Sequence, residues 1–230
     1  MNEKLNKFIF DAIHEIEAKE KKTQASWSWT KVKATKQECF EAFKVFLDRQ
    51  TGKRNPGEKF VIDLANTETI EQLVAYMTGS PDFNGNHNKG IMLVGQFGTG
   101  KTTIMNALCD FYFAMSKRII INISAVELTA AIRKKSASID EYTSKPLFID
   151  EIGRETESVK DYGTEIRPIP DIIGIRYSRG ALTFASSNFV VEKQHAKGGA
   201  CLEDKYGLYV ADRMREMFNI LVMKGESRRR

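Results

Sequence analysis

From about residue 60 to its end the chain predicts an α/β fold of three layers, a parallel sheet with helices on both faces. Two observations predict it. Short apolar runs, IMLV (91–94), IIINI (119–123), PLFID (146–150), LTFASS (182–187) and FNILVM (218–223), alternate with stretches of helical periodicity. These runs are apolar almost without break, as strands covered on both faces are, whereas a strand with one wet face alternates. The composition agrees: 42% of the 230 residues are apolar and 28% charged, enough for one good-sized domain with an appendage.

The first element is an amphipathic helix. Leu5, Phe8, Ile9, Ala12, Ile13 and Ile16 follow the i, i+3, i+4, i+7 spacing of one face. The tryptophans of SWSW, Trp27 and Trp29, come next, suited to packing between helices or to stacking on bases. Thr35 and Glu38 make a T-x-x-E capping box, so a second helix starts there, with Phe40, Phe43, Phe46 and Leu47 as its stripe and Gly52 as its stop. A polar linker, TGKRNPGEK, leads to a strand-like FVIDL, and a third helix runs from about Asn66 to Met77, ended by Gly79. The strand–helix alternation begins at Gly90. The chain divides into an N-terminal helical, partner-binding region, 1–55, and a sheet domain, 56–230.

Several function classes are excluded or weakened. No apolar run is long enough to span a bilayer, and the N-terminus mixes acids into its apolar positions, unlike a signal peptide; a cytoplasmic protein with no membrane partner is expected. Cys39, Cys109 and Cys201 lie far apart, as do His14, His87 and His195, so neither a disulfide framework nor a zinc module is expected. A net charge of +5 suits a nucleic-acid partner without demanding one.

The chemistry begins where the first sheet strand ends. Gly95-Gln96-Phe97-Gly98-Thr99-Gly100-Lys101-Thr102 is G-x-x-x-x-G-K-T, with strand before and helix behind. The glycines let backbone N–H groups turn inward toward phosphate oxygens, and the new helix presents its positive end to the same anion. Gly95, Gln96, Gly98, Thr99, Gly100, Lys101, Thr102 and Thr103 form the expected ATP cradle, with Lys101 on the β- and γ-phosphates and the Thr102 hydroxyl in the Mg²⁺ shell. Asp150 and Glu151 emerge from the end of PLFID, where open α/β sheets bind ligands. Asp150 is expected to hold Mg²⁺ through water, and Glu151 to polarise the attacking water. Asn188, just past LTFASS, is placed to orient that water or touch the γ-phosphate.

GQFGTGKTT, FIDEIG (148–153), SSN (186–188), ADRMREMF (211–218) and KGESRR (224–229) together resemble the AAA+ ATPases. More narrowly they resemble the DnaC/IstB-like branch of helicase loaders and transposition helper ATPases. The resemblance spans about residues 60–230 and implies a five-stranded sheet of order 5-1-4-3-2, ATP hydrolysis between subunits of a homo-oligomer, and no C-terminal helical lid. By position Arg213 matches the arginine finger, with Arg215 a weaker candidate. Arg229 falls on the sensor-2 position, where Arg228 replaces the usual aromatic and leaves the choice between the two open. The family puts a DNA-binding helix in the region of Arg133, Lys134 and Lys135. The implied function is a loader that assembles on single-stranded DNA and docks a replicative DnaB-like helicase; the alternative is an IstB-like helper that binds double-stranded DNA and recruits a transposase. The segment Arg154 to Ile175 reads as a loop near the nucleotide edge.

Overall fold

The computed structural model describes residues 31–156, 158–161, 164–196 and 199–228. The expected first helix, both tryptophans, His14 and Arg229 lie outside the described residues. The helices are α1 (Lys36–Arg54), α2 (Thr67–Thr78), α3 (Lys101–Ser116), α4 (Ala125–Arg133), α5 (Pro168–Ser178), α6 (Leu202–Tyr206) and α7 (Leu208–Met217). The strands are β1 (Gly90–Gly95), β2 (Ile121–Ser124), β3 (Leu147–Ile152), β4 (Val159–Asp161), β5 (Thr164–Ile166), β6 (Thr183–Ser187) and β7 (Phe218–Met223). Among the described residues no helix is long and apolar enough to cross a membrane.

Five parallel strands form one sheet in the order β2-β3-β6-β1-β7. Numbered within the sheet this is 5-1-4-3-2 read from β7, the order the resemblance implies. Alternate residues of the central strands bury into opposite layers. Ile91, Leu93, Phe148 and Phe184 face a core built with α1, α2 and α3. Met92, Val94, Leu147, Ile149 and Ala185 face the second core, with α4, α5 and α7. Arg176 of α5 is wholly buried and ties that helix to the strand starts, donating to the carbonyls of Tyr142, Lys145 and Leu182.

Four local expectations are corrected. First, α1 has the capping box at Thr35 and Glu38, but it runs through Gly52 to Arg54. Pro56 ends it: the residue before a proline is driven out of the helical region, and Asn55 sits at φ −128°, ψ 91°. Second, FVIDL joins no sheet and Leu64 already lies in a turn. The Asn66 side chain satisfies that backbone instead, donating to Val61 O and accepting from Asp63 N. Third, the run IIINI pairs only from Ile121, and Ile119 is exposed. Fourth, the supposed loop 154–175 holds an antiparallel hairpin, β4 with β5, followed by α5, which opens on Pro168 at a position where its missing N–H costs nothing.

The packing does not break at residue 55. Cys39, Phe43 and Leu47 of α1 share one core with Ile104, Leu108 and Phe111 of α3, and the Phe43 and Phe46 rings stand edge-on to Phe111.

Candidate functional site

The loop after β1 turns with Gly98 at φ 78° and Gly100 at φ 99°, backbone angles that a Cβ would oppose. Gly100 caps α3 without any side chain, so the first N–H groups of that helix lack the usual cap. Lys101 is 6% exposed and folds back into the loop. Its Nζ donates to Gly95 O at 2.8 Å, to Gln96 O at 2.7 Å and to Asn188 Oδ1 at 2.9 Å. Thr99 is buried and donates to Gln96 O at 3.0 Å; Thr103 is half-buried in the first turn of α3.

Asp150 and Asn188 come from the ends of β3 and β6, and β6 lies between β3 and β1. The sheet order thus lines up the acid, the amide and the phosphate loop on three adjacent strand ends. Thr102 Oγ1 donates to Asp150 Oδ1 at 3.1 Å. Burial pushes the Asp150 carboxyl above the usual carboxylate range, while hydrogen bonds from Ser186 and Thr102 pull it down. The Nδ2 of Asn188 is buried and finds no acceptor among the described residues. A buried donor without a partner is costly, and beside a phosphate loop an anionic oxygen would satisfy it.

Glu151 sits in a β-bulge. Along β3 and β6, Ile149 pairs with Ala185 but Ile152 with Ser187, so β3 carries one extra residue over Asp150–Glu151. Ile152, not Glu151, therefore takes the next core position. Glu151 adopts φ 56°, and its Oε2 pairs with Arg154 Nη1 at 2.6 Å. Beyond the bulge the turn is anchored from below. Buried Glu155 accepts from Gly153 N at 3.0 Å and from the Tyr206 hydroxyl, and Lys205 Nζ donates to Gly153 O at 2.7 Å. That cluster joins the end of β3 to α6, which leads into α7.

Arg213 lies on α7. Its guanidinium stacks 3.7 Å above the Tyr209 ring and 5.2 Å from that of Tyr177, and Gly174 of α5 makes room, since a Cβ there would come within 2.8 Å of its Nη1. No carboxylate pairs with Arg213 among the described residues. Arg215 is held by Glu192 at 2.9 Å and Asp212 at 2.7 Å. Arg133, Lys134 and Lys135 are exposed at the C-terminal end of α4, next to the edge strand β2, away from the phosphate loop in sequence and sheet order.

The tail is not loose. Arg228 N donates to Gly98 O at 3.0 Å, while its side chain donates to Val61 O at 3.2 Å and Asp63 Oδ1 at 2.7 Å. The hydrogen bond from Arg228 holds the Asp63 carboxyl below its ordinary range. Arg228 therefore clasps the 61–63 segment to the phosphate loop. Sequence reading missed three participants: Ser186, Glu155 and Tyr206. Ser186 stood in the quoted SSN motif; nothing in the pattern singled out the other two.

No curated protein matches the chain. The model of the family described as "ATPase family associated with various cellular activities (AAA)" matches residues 91–168, from β1 to the start of α5. Among solved structures, the DnaC helicase loader superposes with a TM-score of 0.51 at 20% identity, covering 72% of this chain and 93% of that one. DnaI gives 0.54 at 22% identity, covering 75% and 88%. With its sheet order, its phosphate loop after β1 and these likenesses, the chain has the AAA+ P-loop fold in the form that DnaC and DnaI take.

Proposed function

We propose that this protein is an ATP-hydrolysing helicase loader, acting on single-stranded DNA in a homo-oligomer and docking a replicative DnaB-like helicase. The observation that carries the nucleotide half is the convergence of Lys101, Thr102, Asp150 and Asn188 on three adjacent strand ends, with a buried, unpartnered amide nitrogen among them. In this reading the loop N–H groups and Lys101 bind the β- and γ-phosphates. Lys101 is already drawn inward by two loop carbonyls, so phosphate oxygens exchange for partners it holds. Thr102 and Asp150 fit Mg²⁺, Asp150 through water, and the ion offsets phosphate charge when bound. Glu151 releases Arg154, polarises the attacking water and takes its proton; Asn188 orients that water. Arg213, which no carboxylate holds among the described residues, completes a neighbour's site.

The loader half rests on the fold shared with a protein named as a helicase loader, on the net charge of +5 and on the exposed Arg133-Lys134-Lys135. One set of experiments tests both halves. The purified chain should hydrolyse ATP, and Glu151→Gln should bind ATP while losing turnover. Replacing Arg133, Lys134 and Lys135 together with Ala should weaken single-strand binding and lower its salt slope by about 2, three contacts at roughly 0.7 each. The parent should capture purified replicative helicase, and a chain lacking residues 1–30 should not. Full turnover in Glu151→Gln, an unchanged salt slope, or capture of a transposase in place of the helicase defeats the corresponding part.

A further inference from the structure

The geometry points to Ser186 as the positioning residue of the Asp150–Glu151 pair, a role that rests on the hydrolysis reading above. In a regular parallel ladder the strand backbones satisfy each other. The bulge at Asp150–Glu151 interrupts that register, and there a side chain receives the Glu151 N–H. Ser186 is 0% exposed, and its hydroxyl fills the gap. It accepts from Glu151 N at 3.0 Å and donates to Asp150 Oδ1 at 2.5 Å. One oxygen thereby fixes both acids, the first by its side chain and the second by its backbone.

Two consequences follow for the pair. The left-handed backbone of Glu151, φ 56°, is uphill for a residue with a Cβ and persists only where the surroundings hold it. The Ser186 hydroxyl, itself wholly buried, is the group that takes its N–H. Asp150 Oδ1 accepts two hydroxyls, from Ser186 and from Thr102. Oδ2 takes no hydrogen bond among the described residues, so it is the oxygen left for a Mg²⁺-bound water. Wholly buried, Ser186 acts through the two acids.

The adjacent serine supplies the comparison. Ser187 is equally buried and equally stapled, donating to Ile152 O at 2.7 Å and accepting from Phe189 N at 3.0 Å, but it touches neither acid. The experiment sets Ser186→Ala and Ser187→Ala against the full-length parent, reading melting temperature, affinity for a fluorescent ATP analogue, kcat, KM and the Mg²⁺ concentration for half-maximal turnover. Both variants should bind the analogue within about threefold of the parent. Ser187→Ala should keep kcat within about threefold, whereas Ser186→Ala should lose about tenfold or more in kcat and need more Mg²⁺. Should Ser186→Ala lose its cooperative melting, Ser186→Cys, with its weaker donor and acceptor, is read in its place with the same expectation. Equal kcat in the two serine variants, or loss of analogue binding in step with kcat, overturns the assignment while parental turnover stands. A parent with no turnover overturns the hydrolysis reading itself, and Ser186 with it.

Discussion

Replacing Tyr206 with Phe removes one oxygen from a buried cluster and leaves the ring in place. That hydroxyl donates to Glu155 Oε1, and Tyr206 and Glu155 are only 3% and 5% exposed. Burial, then the Glu155 charge, pushes the phenol far above its ordinary range, so it remains a donor at any working pH. A hydrogen bond to a buried carboxylate contributes about 1.5–3 kcal/mol. Lys205 Nζ stays 3.4 Å from the same oxygen, so the loss should not reach the roughly 3–5 kcal/mol of a buried charge left bare. For a chain of this size 1 kcal/mol moves Tm by about 2–4 °C, so Tyr206→Phe should melt about 3–12 °C below the parent. Tyr177 is the control: its hydroxyl donates to Glu216 at 2.6 Å, but the ring is 37% exposed. Tyr177→Phe should cost about 0.5 kcal/mol or less. Differential scanning calorimetry of the three proteins decides it. A Tyr206→Phe midpoint within about 1 °C of the parent, or equal losses in the two variants, would refute the claim that this cluster anchors the turn after β3.

Two further outcomes concern the arginines. Mixing Arg213→Ala protein with Lys101→Ala protein should recover ATPase activity that neither has alone, since one retains sites and the other retains fingers; an inactive mixture at every ratio removes the trans role of Arg213. Arg228→Ala should weaken ATP and ADP binding alike, by about two- to fivefold for a partly exposed ion pair, with kcat unchanged, because Arg228 clasps residues 61–63 to Gly98. Arg229→Ala should instead lower kcat if that residue senses the γ-phosphate, so titration and turnover assays on the two variants separate the roles.

The strand ends were legible because their chemistry is local. Glycines, Lys101 and Thr102 follow β1 directly, and Asp150 and Asn188 each sit at the end of an apolar run. Sheet order followed from the resemblance those motifs carry, and it set Asn188 beside Lys101. What escaped was whatever depends on register or on long-range partners. The bulge over Asp150–Glu151 leaves no mark in hydropathy, since a one-residue slip between strands changes no residue type. FVIDL has the composition of a strand, but an asparagine three residues beyond Asp63 takes up its backbone. Glu155 reads as a surface acid until α6 brings Tyr206 and Lys205 against it. Gly52 read as a stop because glycines end many helices, whereas Pro56 is the residue that forbids continuation.

The described chain begins at Lys31, and Val32 N donates to Met77 O in the last turn of α2. That turn lies at the start of β1, since the Tyr76 hydroxyl donates to Lys89 O, one residue before the strand. The phosphate loop lies at the other end of the same six-residue strand, about 20 Å away at roughly 3.3 Å per residue. The described chain therefore starts at the end of the sheet opposite the phosphate loop. Under the proposed function, a partner engaged at that end of the sheet sits about 20 Å from the phosphate loop, with β1 and the helices packed on it in between.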